Sequence, residues 1–194
     1  QPEFIEFQTK DGLTLPGLLY KAKKRRAVAI FLHGNGSSSV FYNEAKNRIL
    51  ASALAEKNIS TLYFNNRGAH IIKNLHVRHG KKDERKRFGM AYEKIKGCVA
   101  DIDGTVSFLK KRGYREFYLM GASTGANKIC VYNFYKPKND IKKYILLCGG
   151  DDTGIYYDIL GKSRFWKLLS EAKKKIKAGR GGEIIKEILP DNIF

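Results

Sequence analysis

The sequence predicts an α/β domain on a mostly parallel sheet, and three observations carry that expectation. Continuous apolar runs, suited to strands buried on both faces, alternate in βαβ order with amphipathic stretches at helical spacing. An Asp-Gly pair between two alternating apolar runs adds an antiparallel hairpin at the start. A chain of 194 residues, 43% hydrophobic and 12% aromatic, is large and apolar enough for one sizeable core, with helices on both faces of the sheet.

Residues 4–9 and 13–20 flank Lys10-Asp11-Gly12 and form the hairpin. After the basic spacer 21–26, AVAIFL at 27–32 is the first parallel core strand. A Gly/Ser loop over 34–39 leads into a helix over 43–57, where Ile49, Leu50, Ala53 and Leu54 make one apolar stripe. STLYF at 60–64 reads as the second buried strand. Residues 65–91 are polar, basic and aperiodic, which predicts a long excursion over the surface of the kind that often carries function. Ile95, Val99, Ile102, Val106 and Leu109 then recur at i, i+4, i+7, i+11 and i+14, with Gly113 placed to end that helix. Strand 117–120, helix 126–135 and strand 144–148 continue the alternation. Beyond Cys148 the pattern changes. Phe165, Leu168, Leu169, Ala172 and Ile176 form an amphipathic helix, a Gly-rich break follows at 179–182, and 184–189 reads as helical. The expected division is therefore a core over 1–150 and a helical cap or lid region over 151–194, with the C-terminal strands of the sheet absent.

Thirty-seven Lys and Arg against 19 Asp and Glu leave a net charge of +18. The excess concentrates in residues 78–87 and 162–180 and follows no nucleic-acid recognition motif, so it reads as a solvated basic face rather than a specific nucleic-acid interface. Three cysteines, Cys98, Cys130 and Cys148, are too few and too scattered for a disulfide framework or a metal site. A reducing, cytoplasmic setting is the expectation. No apolar run approaches the roughly 20 residues of a membrane span, and the start QPEFIEFQ is no signal peptide, although without an initiator Met an upstream piece is expected to have been trimmed. Nothing in the sequence sets an oligomeric state.

The pentapeptide Gly121-Ala122-Ser123-Thr124-Gly125 fits G-x-S-x-G. The pattern alone is weak, but FYLM precedes it and a helix follows, the strand-turn-helix context in which the serine is held strained and exposed. An inert serine in a glycine-bracketed turn is the alternative. His33-Gly34-Asn35-Gly36 ends the first core strand, where a backbone N–H can point into the same cleft. The N–H groups of Asn35 and Thr124 would make the two donors of an oxyanion hole. His33 itself reads as a buried histidine satisfied by backbone bonds. A dinucleotide site over 34–39 fails, because a serine replaces the third glycine and the next strand ends in Asn65 and Asn66. GASTGANK is no P-loop, because its glycines are too close together.

Together, HGNG after one buried strand, FNNRGAH after the next and LMGASTGANK at the turn resemble the α/β-hydrolase superfamily over roughly residues 4–150. Asn66-Arg67-Gly68 looks like the Arg-Gly turn of these enzymes, with His70 near their glycine-rich loop. FGMAYEKIKGCVADIDGTVSFLKKRG is similar to the subgroup that includes siderophore-ester hydrolases. The resemblance implies Ser123 as nucleophile, Asn35 and Thr124 as oxyanion donors, no metal or organic cofactor, and an ester cleaved through an acyl-enzyme. It also implies an order of Ser, then acid, then His. All four histidines (His33, His70, His76, His79) precede Ser123, so base and acid are expected beyond Phe194. Local completion by Asp151 or Asp152 with His70, His76 or His79 is the other possibility. Phe165, Trp166 and Leu169 are candidates for an apolar acyl wall. The alternative function is a catalytically silent scaffold that binds an anionic partner through its basic surface.

Overall fold

Alternating apolar residues turn the start of the chain back on itself. In the computed structural model, which describes residues 1–36 and 39–185, β1 (Glu3–Gln8) and β2 (Thr14–Tyr20) pair antiparallel with Phe7 opposite Leu15. β3 (Ala27–Leu32), α1 (Glu44–Glu56) and β4 (Ile59–Phe64) form the first βαβ unit. A separate antiparallel hairpin follows, β5 (Lys73–His79) with β6 (Lys82–Phe88). Two short 3-10 turns lead into α2 (Cys98–Lys111), then β7 (Glu116–Ala122), α3 (Thr124–Tyr135) and β8 (Ile141–Leu147).

The main sheet has the order β1-β2-β4-β3-β7-β8, parallel from β4 through β8 and antiparallel at β2 and β1. Side chains alternate across it. Leu15, Leu19, Val28, Ile30, Leu62 and Phe64 point toward the α2 and α3 side, where they pack with Ile102, Val106, Leu109 and Ile129. Leu18, Tyr20 and Tyr63 point to the opposite side and meet Ala51 of α1. β3 is apolar throughout because helices cover both its faces. β8 is an edge, and Ile145, Leu146 and Leu147 are 39%, 49% and 40% exposed.

Three expectations need correction. The surface excursion over 65–91 contains the β5–β6 hairpin: Gly80, at φ +61°, and Lys81 make its two-residue turn, and Leu75 and Phe88 pack on the core. The apolar stripe of α1 is rotated from the expected one. Asn47 and Ala51 are its buried residues and Ile49 is 74% exposed, because the Asn47 amide donates to the Val40 carbonyl at 2.8 Å and turns that face inward. α2 begins at Cys98, leaving Ile95 in a 3-10 turn, and closes on Gly113 at φ +90°, whose N–H reaches the Lys110 carbonyl.

The chain divides into two compact units, Gln1–Gly149 and Gly150–Phe194. The second holds α4 (Asp152–Leu160) and α5 (Lys162–Lys177), with the Tyr157 and Phe165 rings edge-on at 5.4 Å. Residues 184 and 185 are not helical, and the rest of the helix expected over 184–189 lies outside the described residues. No described helix is long and apolar enough to cross a membrane.

At the carboxyl end of the sheet, Arg67 and Asp101 form a buried pair. The guanidinium donates to Asp101 Oδ1 at 2.7 and 2.9 Å, the Arg67 N–H donates to Oδ2 at 3.0 Å, and Asp11 takes a further bond. These carboxylates hold the Arg67 pKa above its usual value, against the opposing effect of burial. Removing one member of such a pair strands the other, so Asp101→Ala is expected to cost about 3–5 kcal/mol in urea unfolding. A loss below about 1 kcal/mol would place the pair in the class of exposed ion pairs.

Candidate active site

The strand order dictates where a site can form. From β3 the chain crosses through α1 to β4 on one side and later returns to β7 on the other, so the carboxyl ends of β3 and β7 flank the topological switch point. Ser123 stands there, one residue past β7 and one before α3.

Its backbone is strained, at φ +54° and ψ −129°, a conformation that costs a residue with a Cβ about 1–3 kcal/mol. The turn persists because its surroundings leave no alternative. The Ser123 N–H donates to the Leu147 carbonyl at 2.9 Å, and the Ala126 N–H donates to the Ser123 carbonyl at 2.8 Å. A Cβ on Gly121 would overlap the Gly125 carbonyl, and one on Gly125 would overlap the Leu32 carbonyl at the end of β3. Both positions therefore demand glycine.

The loop after β3 lies against this turn. A Cβ on Gly34 would come within 3.0 Å of Ser123 Cβ and 3.4 Å of Oγ. Asn35 is the next residue and is exposed, while Thr124 opens α3 and is buried. The first N–H groups of a helix have no intrahelical acceptor and sit at the positive end of its dipole. Gly36 donates to Met90 Sδ at 3.0 Å, and Met90 N–H donates to the His70 carbonyl at 2.8 Å, so residues from beyond the hairpin brace the far end of the loop.

His33 is buried between backbone groups, as its sequence context suggests. Nδ1 lies 2.7 Å from the Gly34 carbonyl, which can only accept, so the proton is on Nδ1. Nε2 then accepts from Asn66 N–H at 3.2 Å. Burial pushes the ring pKa down to about 4. With both nitrogens engaged and neutral, His33 fixes the loop that touches Ser123 and has no free position for proton transfer.

Asn66 extends this arrangement into a buried network that charge patterning did not reveal. Its Oδ1 accepts from Gly68 N–H at 2.9 Å and from Lys128 Nζ at 3.2 Å. Lys128 has a side chain only 1% exposed and pairs with Glu93 at 2.7 Å. Lys73 Nζ donates to the Asn66 carbonyl at 3.0 Å, and burial lowers its pKa to about 8. The available signal was position: Lys128 lies among Ala126, Ile129 and Tyr132, the residues that α3 buries.

The remaining histidines are placed differently. His76 is held by Asp83 at 2.9 Å on the exposed hairpin, where Val77 bridges to Leu13 just before β2, a strand three spacings or about 14 Å across from β7. His79 is exposed at the end of β5. His70, at φ +65°, stands edge-on to Tyr42 with ring centroids 5.7 Å apart, and burial lowers its pKa. Asp151 precedes α4 and Asp152 opens it, in the second unit. Among the described residues, no group of three or more His, Cys, Asp and Glu could hold a metal ion.

The depressed His33 pKa has a stability consequence. Above the usual value of 6.5 both folded and unfolded states are neutral; between 6.5 and about 4 only the unfolded state takes up the proton. His33 is therefore expected to stabilise the fold above that window and to lose its contribution as pH falls through it. An NMR titration of the ring should find it neutral until the neighbourhood of 4, and a midpoint near 6.5 would contradict the buried arrangement.

No protein-family model and no curated protein matches the chain. Solved structures do. The α/β hydrolase GrgF from Penicillium sp. sh18 superposes with a TM-score of 0.60 at 17% identity, over 95% of this chain and 61% of its own. Est1E from Butyrivibrio proteoclasticus gives 0.57 at 18% identity, over 81% and 57%. The esterase Pf2001 from Pyrococcus furiosus gives 0.50 at 21% identity, over 82% and 54%. The chain thus spans less than two thirds of the length of each. These likenesses, with the strand order and the strained serine turn at the switch point, give the chain the fold of the α/β-hydrolase superfamily.

Proposed function

We propose that this chain carries the nucleophile and oxyanion hole of a serine hydrolase that cleaves a small-molecule carboxylic ester through an acyl-enzyme. The observation that carries the reading is the left-handed φ of Ser123 at a strand-helix junction, a strained conformation that has no structural use in a turn where glycine would be relaxed. Ser123 Oγ attacks the ester carbonyl and expels the alcohol; water then releases the acid from the acyl-serine. The N–H groups of Asn35 and Thr124 receive the oxyanion, a role in which each donor is worth about 3 kcal/mol of barrier. Gly34 leaves room for Asn35 beside Ser123, and the dipole of α3 adds to the field at Thr124. The engagement of His33 and His76 elsewhere supports assigning the general base and its acid to residues outside this sequence. Free thiols at Cys130 and Cys148 favour a reducing, cytoplasmic setting.

Fluorophosphonate treatment of the complete protein, read by intact mass, tests the assignment. One adduct is expected on Ser123, with both the adduct and ester turnover absent from Ser123→Ala. Absence of any adduct on the wild type would favour the silent, anion-binding scaffold, and an adduct that persists in Ser123→Ala would place the nucleophile elsewhere.

A further inference from the structure

The first unit contains a cavity set apart from the serine turn. It measures about 690 Å³ and lies between the start of α2, the end of β6 and the 3-10 turns that join them, and none of Ser123, Asn35 or Thr124 lines it. The volume falls within the range of small-ligand pockets, roughly 300–1,000 Å³.

Two kinds of group converge there. Three aromatic rings, Phe88, Tyr92 and Tyr135, line the cavity together with the apolar side chains of Val99 and Ala100. Phe88 and Tyr92 are half-buried, and Tyr92 is held by a 3.3 Å bond from Arg87 Nη1 to its hydroxyl. Lys10, Lys94 and Lys96 supply positive charge, and among the described residues no carboxylate pairs with any of them. Lys96 Nζ instead stands 4.5 Å over the Tyr135 ring. The carboxylates in the wall are already engaged: Asp11 by Arg67, and Asp103 by Lys136 at 3.1 Å and the Tyr132 hydroxyl at 3.0 Å. The cavity thus joins ring faces to cations that lack a counter-charge, in a chain of net charge +18.

We infer that this cavity binds a small molecule in which a planar aromatic ring is joined to a phosphate, a nucleoside monophosphate being the simplest example. The ring stacks among Phe88, Tyr92 and Tyr135, and the phosphate meets Lys94 and Lys96 at the mouth. A bare phosphate would leave the apolar wall uncovered, and a neutral aromatic would leave the lysines without a partner. Both halves are needed.

Calorimetric titration of the protein with AMP, ribose 5-phosphate and adenosine, at near-physiological salt, tests the inference. AMP is expected to bind saturably at one site, and the two half-ligands more weakly. Lys94→Ala with Lys96→Ala should weaken AMP at least about tenfold, and Tyr135→Ala should weaken AMP while leaving ribose 5-phosphate unchanged. Lys173→Ala with Lys174→Ala removes the same charge from α5 and should have no effect. All three variants alter half-exposed or exposed side chains and should keep the wild-type unfolding temperature. Equal weakening by the two lysine pairs would reduce the effect to net charge and overturn the site. Equal affinity for AMP and ribose 5-phosphate, or no saturation at millimolar AMP, would overturn it as well.

Discussion

Gly125, in the first turn of α3, rests on the Leu32 carbonyl, and that backbone contact sets the geometry of the whole carboxyl edge. It brings α3 closer to β3 than any side chain would permit. The turn between β7 and α3 must then be tight, which forces Ser123 into a left-handed conformation. The same approach places the loop after β3 against the serine, with Gly34 the point of contact. Strain of about 1–3 kcal/mol is tolerable only where neighbours over-determine the backbone. Here β8 does so through the Leu147 carbonyl, and α3 through its first hydrogen bond to the Ser123 carbonyl.

Beneath that turn lies a polar network that is costly to bury, and its most deeply buried charges, Lys128 and Asp101, are paired. An isolated lysine at the depth of Lys128 would face a penalty of several kcal/mol. Glu93 and the Asn66 amide oxygen answer it, and Arg67 is answered by Asp101 and Asp11. The members come from the end of β4, the segment after the β5–β6 hairpin, α2 and α3, so the pairings tie together parts of the chain distant in sequence. One end of the network reaches the site, since Asn66 holds His33 and His33 holds the Gly34 carbonyl. The effect of this core on the serine turn is therefore positional: it keeps the loop after β3 at one distance from Ser123.

The parts of this architecture that a single sequence reveals are those governed by burial period and backbone chemistry. β3 was legible at both ends because an uninterrupted apolar run has few other uses, and the serine turn because its glycines mark close approaches. The β5–β6 hairpin was not legible: its residues are basic on both faces, with only Leu75, Val77 and Phe88 turned toward the core, and such strands carry little alternation. The face of α1 was misplaced because a buried amide, Asn47, outweighed Ile49. Lys128 and Glu93 escaped notice because charged residues are assumed exposed unless a partner is known, and their partnership spans two elements. Ser123, Asn35 and Thr124 could be named as motif residues, and a base could not, since all four histidines precede Ser123.

The geometry of the carboxyl edge depends most on Ser123 being held in a strained turn by its surroundings. Urea unfolding of Ser123→Gly beside Ser123→Ala measures this directly. In an ordinary turn or helix the alanine variant is the more stable, because glycine loses more backbone freedom on folding. A locked left-handed turn reverses the order, so the glycine variant is expected to be more stable than the alanine variant by about 1 kcal/mol. Equal stability, or an advantage for alanine, would mean that the backbone at Ser123 is relaxed and would contradict the account.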